Sequence, residues 1–97
     1  MNAQTQILQQ LKSAMPDLRA KYPISRIALF GSATREDFDA KTSDIDVMVE
    51  FSGITFDSFI NLAEELERLF GRRIDMVARE SLKPRHWDYL KDKVVYA

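Results

Sequence analysis

Ninety-seven residues, 45% of them apolar and 10% aromatic, suffice for one domain with a modest core, residues 1–97, and leave no room for a second. Fourteen basic side chains against fifteen acidic ones give a net charge near −1, without the strong positive field of a general nucleic-acid binder, so nucleic acid is not an expected partner. Cysteine is absent, which excludes disulfides and thiolate metal sites. With no charged-then-apolar leader and no apolar run near the roughly 20 residues that cross a bilayer, a cytoplasmic protein that does not span a membrane is expected.

The first segment places Ile7, Leu8, Leu11, Met15 and Leu18 at helical spacing among Gln, Lys and Ser, which predicts an amphipathic helix ending near Tyr22-Pro23. Arg26 to Phe30 is a short run with both faces apolar, expected as a buried central strand that Gly31-Ser32 ends. A brief helix over Ala33 to Phe38 and a polar loop over Asp39 to Ser43 follow. Asp44 to Phe51 reads as a second strand, with Ile45, Val47 and Val49 on one face and Asp44, Asp46, Met48 and Glu50 on the other. Thr55 or Asp57 can cap a long helix whose stripe is Phe56, Phe59, Ile60, Ala63, Leu66, Leu69 and Phe70, with Gly71 placed to end it. Arg73 to Ala78 predicts a third strand, and Pro84 opens a last helix with Trp87, Leu90, Val94 and Val95 turned inward.

The chemistry-bearing residues fall where these elements meet. Gly31-Ser32 is followed by eleven residues and then Asp44-Ile45-Asp46, whose two acids share one side of an extended strand. Carboxylates set side by side repel, so the pair calls for a cation, and a divalent metal is the natural candidate. Asp75 sits inside an apolar run between Ile74 and Met76, where burial without a partner is costly. If the three strands are neighbours, three carboxylates meet at one sheet edge. A glycine there admits close approach of a ligand to the backbone, N–H groups at a following helix start suit phosphate, and Ser32 adds a hydroxyl donor. Magnesium takes carboxylates together with substrate phosphates, so the inventory points to phosphoryl or nucleotidyl transfer.

Each element alone has a plainer reading: Gly-Ser as a turn, Asp-x-Asp as a solvated strand end, and Asp75 as an ion pair with Arg72, Arg73 or Arg79. Arg72, Arg73, Arg79, Lys83 and Arg85 are expected as a solvated basic surface, and His86 carries no assigned role. Trp87 and Tyr89 are expected as core and rim aromatics, with an exposed patch there able to face another chain.

Together, Gly31-Ser32, the spacer, Ser43-Asp44-Ile45-Asp46-Val47 and the later Asp75 resemble the minimal nucleotidyltransferases of the DNA polymerase beta-like superfamily. The likeness covers nearly the whole chain and extends to Arg35 and to Leu82-Lys83-Pro84-Arg85, with Trp87 and Tyr89 after it. Thr34 and Glu36 stand where that family more often has alanine and glycine. The resemblance implies an α+β fold, a small mixed sheet of three or more strands with helices packed against it. It also implies transfer of AMP from ATP, assisted by two Mg²⁺ ions, to a tyrosine of a partner HEPN toxin, with this chain as the antitoxin. Carried over by position, Asp44 and Asp46 hold the two ions, and Asp75 binds the one that activates the acceptor hydroxyl. Gly31 and Ser32 grip the β- and γ-phosphates, and Arg35 adds charge there. Larger members carry acceptor-holding domains, so a chain this small implies a protein partner that positions the acceptor. Two other functions fit the same residues: an antitoxin that neutralises by binding alone, and a transferase acting on a small-molecule or RNA hydroxyl.

Overall fold

The computed structural model describes residues 3–31, 44–53 and 55–97. Ser32 and Arg35, the departures Thr34 and Glu36, the expected helix over 33–38 and the loop over 39–43 lie outside the described residues.

The chain opens with helix α1, Ala3–Lys21, which buries Ile7, Leu11, Met15 and Leu18, one residue per turn on a single side as the spacing predicts. The Tyr22 amide closes it by donating to the Leu18 carbonyl at 2.8 Å, and after Pro23 the chain turns directly into strand β1, Ile24–Phe30. Strand β2, Ile45–Phe51, runs antiparallel to β1, with Leu29 opposite Val47 and Ile27 opposite Val49. Helix α2, Phe56–Phe70, then carries the chain back to strand β3, Ile74–Ala78, which therefore lies parallel to β2, because a helical crossover is the connection a parallel pair requires. After a 3₁₀ turn at Arg79–Ser81 come helix α3, Pro84–Leu90, and strand β4, Val95–Tyr96. The sheet order is β3-β2-β1-β4, a mixed four-stranded sheet with helices against it, as expected of an α+β chain.

The two long helices cover one face of this sheet. Ile27, Leu29, Ile45, Val47, Val49 and Ile74 form one cluster with Ile7, Leu11, Met15 and Leu18 of α1 and with Leu62 and Leu66 of α2. Alternation along the strands then turns Asp44, Asp46 and Asp75 to the other face. Helix α2 begins with a reciprocal cap, in which the Thr55 hydroxyl accepts from the Ser58 amide at 3.1 Å and the Ser58 hydroxyl accepts from the Thr55 amide at 3.1 Å. Gly71 ends it with φ 64°, the left-handed conformation glycine supplies freely.

Three expectations are corrected. The buried line of α2 is Leu62 and Leu66, with Phe59 and Phe70 packed beside them. Phe56, Ile60 and Leu69 are exposed instead, Phe56 by 78%, because the sheet takes a narrower stripe than the apolar residues alone mark out. The last helix stops at Leu90, and Val95 pairs with Leu29 as Tyr96 pairs with Ala28. The open edge of β1 offers backbone partners to a β-branched and aromatic segment, and that pairing outcompetes a continued helix. Finally, α3 has no buried residue. Trp87 is half-buried beneath the Arg79 guanidinium, 4.0 Å from its ring centre, and so is not a core residue, while Tyr89 is 67% exposed, within the rim reading.

Candidate functional site

The parallel register of β2 and β3 pairs Asp46 with Asp75 and Ile45 with Ile74. In-register residues of neighbouring strands project to the same face, so these two carboxylates are adjacent by construction, and Asp44 lies on that face two residues before Asp46. Asp75 is not buried as its apolar neighbours suggest. Its side chain is 50% exposed and that of Asp44 is 45% exposed, because the face away from the long helices is open at this edge, so the cost of burying a lone acid does not arise here.

On the other side of β2, Phe30 is the cross-strand partner of Asp46, and Gly31 follows it. Gly31 has φ 63°, and a Cβ placed on it would overlap the Asp46 carboxylate and approach its Cγ to 3.1 Å. Both the backbone conformation and the space therefore require glycine. The sequence pattern Gly-Ser…Asp-x-Asp is thus, for its glycine and second aspartate, a statement about two groups that touch.

Arg73 stands between the outer acids. Its Nε lies 3.9 Å from Asp44 Oδ2 and 3.9 Å from Asp75 Oδ1, on a side chain 74% exposed. The plainer reading of Asp75 as an arginine partner is therefore present in the structure, and it extends to Asp44. Pairs this long and this exposed are worth at most about 1 kcal/mol each and are readily exchanged for another cation. Among the described residues no three acidic or histidine side chains are drawn close enough to form a ready-made metal cage. The donor set still suits a hard divalent ion: carboxylate oxygens from two adjacent strands, accessible to solvent and to the phosphates that would complete the coordination.

Farther along the same face is a group that sequence reasoning did not single out. The Tyr96 hydroxyl donates to Glu50 Oε2 at 2.7 Å, Arg26 Nη2 donates to the same oxygen at 3.0 Å, and the Arg26 guanidinium lies 4.0 Å over the Tyr96 ring. Partial burial, and then the hydrogen bond to Glu50, hold the Tyr96 phenol above its ordinary pKa. The cluster ties β4 to β1 and β2. Its signal in the sequence was Glu50 at even spacing from Asp46; nothing local marked Tyr96 as the partner. Glu80, just after β3, accepts from the Phe51 amide at 2.9 Å and so anchors the end of β2. His86 is exposed.

With this geometry in hand, known proteins supply the context. The family described as a nucleotidyltransferase domain matches residues 10–97. A chain of Methanocaldococcus jannaschii, provisionally named a protein adenylyltransferase, is 34% identical over 97 residues, covering 97% of this chain and 93% of that one. Protein adenylyltransferase MntA of Thermococcus cleftensis is 40% identical over 68 residues, 69% of this chain and 68% of that one. Among solved structures, one described as a candidate minimal nucleotidyltransferase superimposes with a TM-score of 0.77 at 29% identity, covering 98% of this chain and 95% of that one. A toxin–antitoxin structure with AMP-PNP shares the fold, with a TM-score of 0.68 at 20% identity over 87% of this chain and 69% of that one.

Proposed function

The chain belongs to the nucleotidyltransferase domain family, and on that premise we propose that it moves AMP from ATP to a tyrosine hydroxyl of a HEPN-type toxin, as the antitoxin of the pair. The observation that carries the reading is the in-register pairing of Asp46 with Asp75 beside Gly31. Family membership supports a nucleotide as substrate, and this pairing supports the β2–β3 edge of the sheet as the place that would receive it. The names of the relatives support the finer claim: protein adenylyltransferase for the curated ones, and toxin–antitoxin MntA–HepT for a solved complex of the same fold.

In this reading residues 1–97 act as one minimal cytoplasmic domain. Asp44, Asp46 and Asp75 would hold the Mg²⁺ ions, two in number, with Asp75 serving the acceptor side. When bound, the ions neutralise charge on the triphosphate and on the attacking and leaving oxygens. Gly31 lets the backbone approach the β- and γ-phosphates, Ser32 adds a hydroxyl donor, and Arg35 adds a guanidinium that suits phosphate geometry. The acceptor hydroxyl loses its proton to solvent as its oxygen bonds to the α-phosphorus, the bond from the α-phosphorus to the α–β bridging oxygen breaks, and pyrophosphate leaves with its electron pair. The partner supplies the acceptor's position, which in such transfers contributes much of the rate.

The test is incubation with α-labelled ATP, Mg²⁺ and the product of an adjacent reading frame for a small helical ribonuclease. Label is expected on that partner, and a Tyr→Phe change at the modified position is expected to abolish it. Neutralisation of the partner without any label transfer would instead make this chain an antitoxin that acts by contact alone. Label on RNA or on a small hydroxyl compound would redirect the acceptor.

A further inference from the structure

Arg73 lies between Asp44 and Asp75, and beyond an ion pair with Asp75 neither the sequence pattern nor the family reading gives it a task. Three observations bear on what it does. Its backbone is fixed, since the Arg73 carbonyl accepts from the Ile45 amide at 3.1 Å and so continues the β2–β3 ladder by one residue. Its position two residues before Asp75 puts its side chain on the same face as the acids. Its guanidinium reaches both outer carboxylates at 3.9 Å while the side chain stays 74% exposed.

We propose that Arg73 is a built-in, displaceable counter-ion that sets the affinity of the acid cluster for divalent cations. The inference rests on the metal-binding reading above. The strand register forces Asp46 and Asp75 together whether or not a cation is present, and like charges so placed repel. The Arg73 guanidinium, which reaches Asp44 and Asp75, offsets part of the cluster's negative charge in the cation-free protein. Its contacts are at the outer limit of ion pairing and open to water, so they are weak and solvent can replace them. A divalent ion, with twice the charge and direct bonds to the oxygens, displaces Arg73 rather than joining it. The displaced positive charge stays tethered to the rim, where it opposes the incoming cation. Arg73 therefore lowers cation affinity, so that tight occupancy comes with the negatively charged triphosphate, which the same guanidinium favours.

Mn²⁺ binding followed by calorimetry and by electron paramagnetic resonance tests this on the full chain, without turnover. For Arg73→Gln, Mn²⁺ in the absence of nucleotide is expected to bind about 3- to 10-fold more tightly than to wild type, from removal of one nearby positive charge. The gain is expected to shrink as salt rises from 0.05 to 0.5 M on the scale of roughly one Debye length. Arg73→Lys, which keeps the charge, is expected to stay within about twofold of wild type. Unchanged or weaker Mn²⁺ binding by Arg73→Gln, with wild type binding normally, would overturn the role of Arg73 and leave the metal site standing. Absence of Mn²⁺ binding by wild type and variants alike would overturn the metal site itself, and this role with it.

Discussion

Asp46→Asn is expected to lower nucleotide transfer by roughly 10³-fold or more, the loss of several kcal/mol of electrostatic stabilisation at the reacting phosphate, while the melting temperature stays nearly unchanged. Asparagine keeps the shape beside Gly31 but removes the negative charge, and it relieves rather than adds repulsion against Asp75, its register partner. The matched control is Asp17→Asn. That carboxylate pairs with Lys21 at 3.1 Å on the surface of α1 and is 67% exposed, so its loss is expected to leave transfer within about twofold and stability within roughly 0.5 kcal/mol. Single-turnover assays with circular dichroism melts on both variants separate the two effects. Equal activity of wild type and Asp46→Asn would remove the aspartate from the site.

Gly31→Ala and Gly71→Ala form a second matched pair. Both glycines have φ near 64°, so an added Cβ is expected to cost about 1–2 kcal/mol at each from the left-handed backbone alone. They differ in what the Cβ meets: at Gly71 nothing lies within 4 Å, whereas at Gly31 it collides with the Asp46 carboxylate. Gly71→Ala is accordingly expected to lower stability with activity preserved at a permissive temperature. Gly31→Ala is expected to lower stability by more and to reduce transfer on the order of 10²-fold, since misplacing a positioned group by about 1 Å carries that penalty. Chemical denaturation beside transfer assays at 15 °C reads both. Similar activity losses for the two variants would mean that strain, not the position of Asp46, is what Gly31 controls.

Much of this site was legible because strands simplify geometry. A period of two puts Asp44 and Asp46 on one face once Ile45, Val47 and Val49 are recognised as core, and the isolated acid at Asp75 marks the neighbouring strand. The sequence does not encode register directly: that Asp46 meets Asp75 follows from how α2 delivers β3 alongside β2. The closeness of Gly31 to Asp46 depends equally on the antiparallel partnership of Phe30 with Asp46. What escaped sequence reasoning shares one cause. Val95–Tyr96 becomes a strand, Tyr96 meets Glu50, and Phe56 and Ile60 face outward because of partners far away in the chain, and local periodicity carries no record of those partners. Asp75 teaches the same lesson in reverse, since its apolar neighbours along the chain say nothing about whether its own side of the sheet is covered.

The claim beneath all of this is that Asp44, Asp46 and Asp75 together hold the divalent cations of a nucleoside triphosphate. The most direct measurement is anomalous diffraction from crystals grown with Mn²⁺ and a non-hydrolysable ATP analogue. Mn²⁺ peaks are expected within coordination distance of all three carboxylates, with the triphosphate beside Gly31 and the Arg73 guanidinium withdrawn from Asp44 and Asp75. Metal and triphosphate bound elsewhere, with Arg73 still seated between the two acids, would contradict the account.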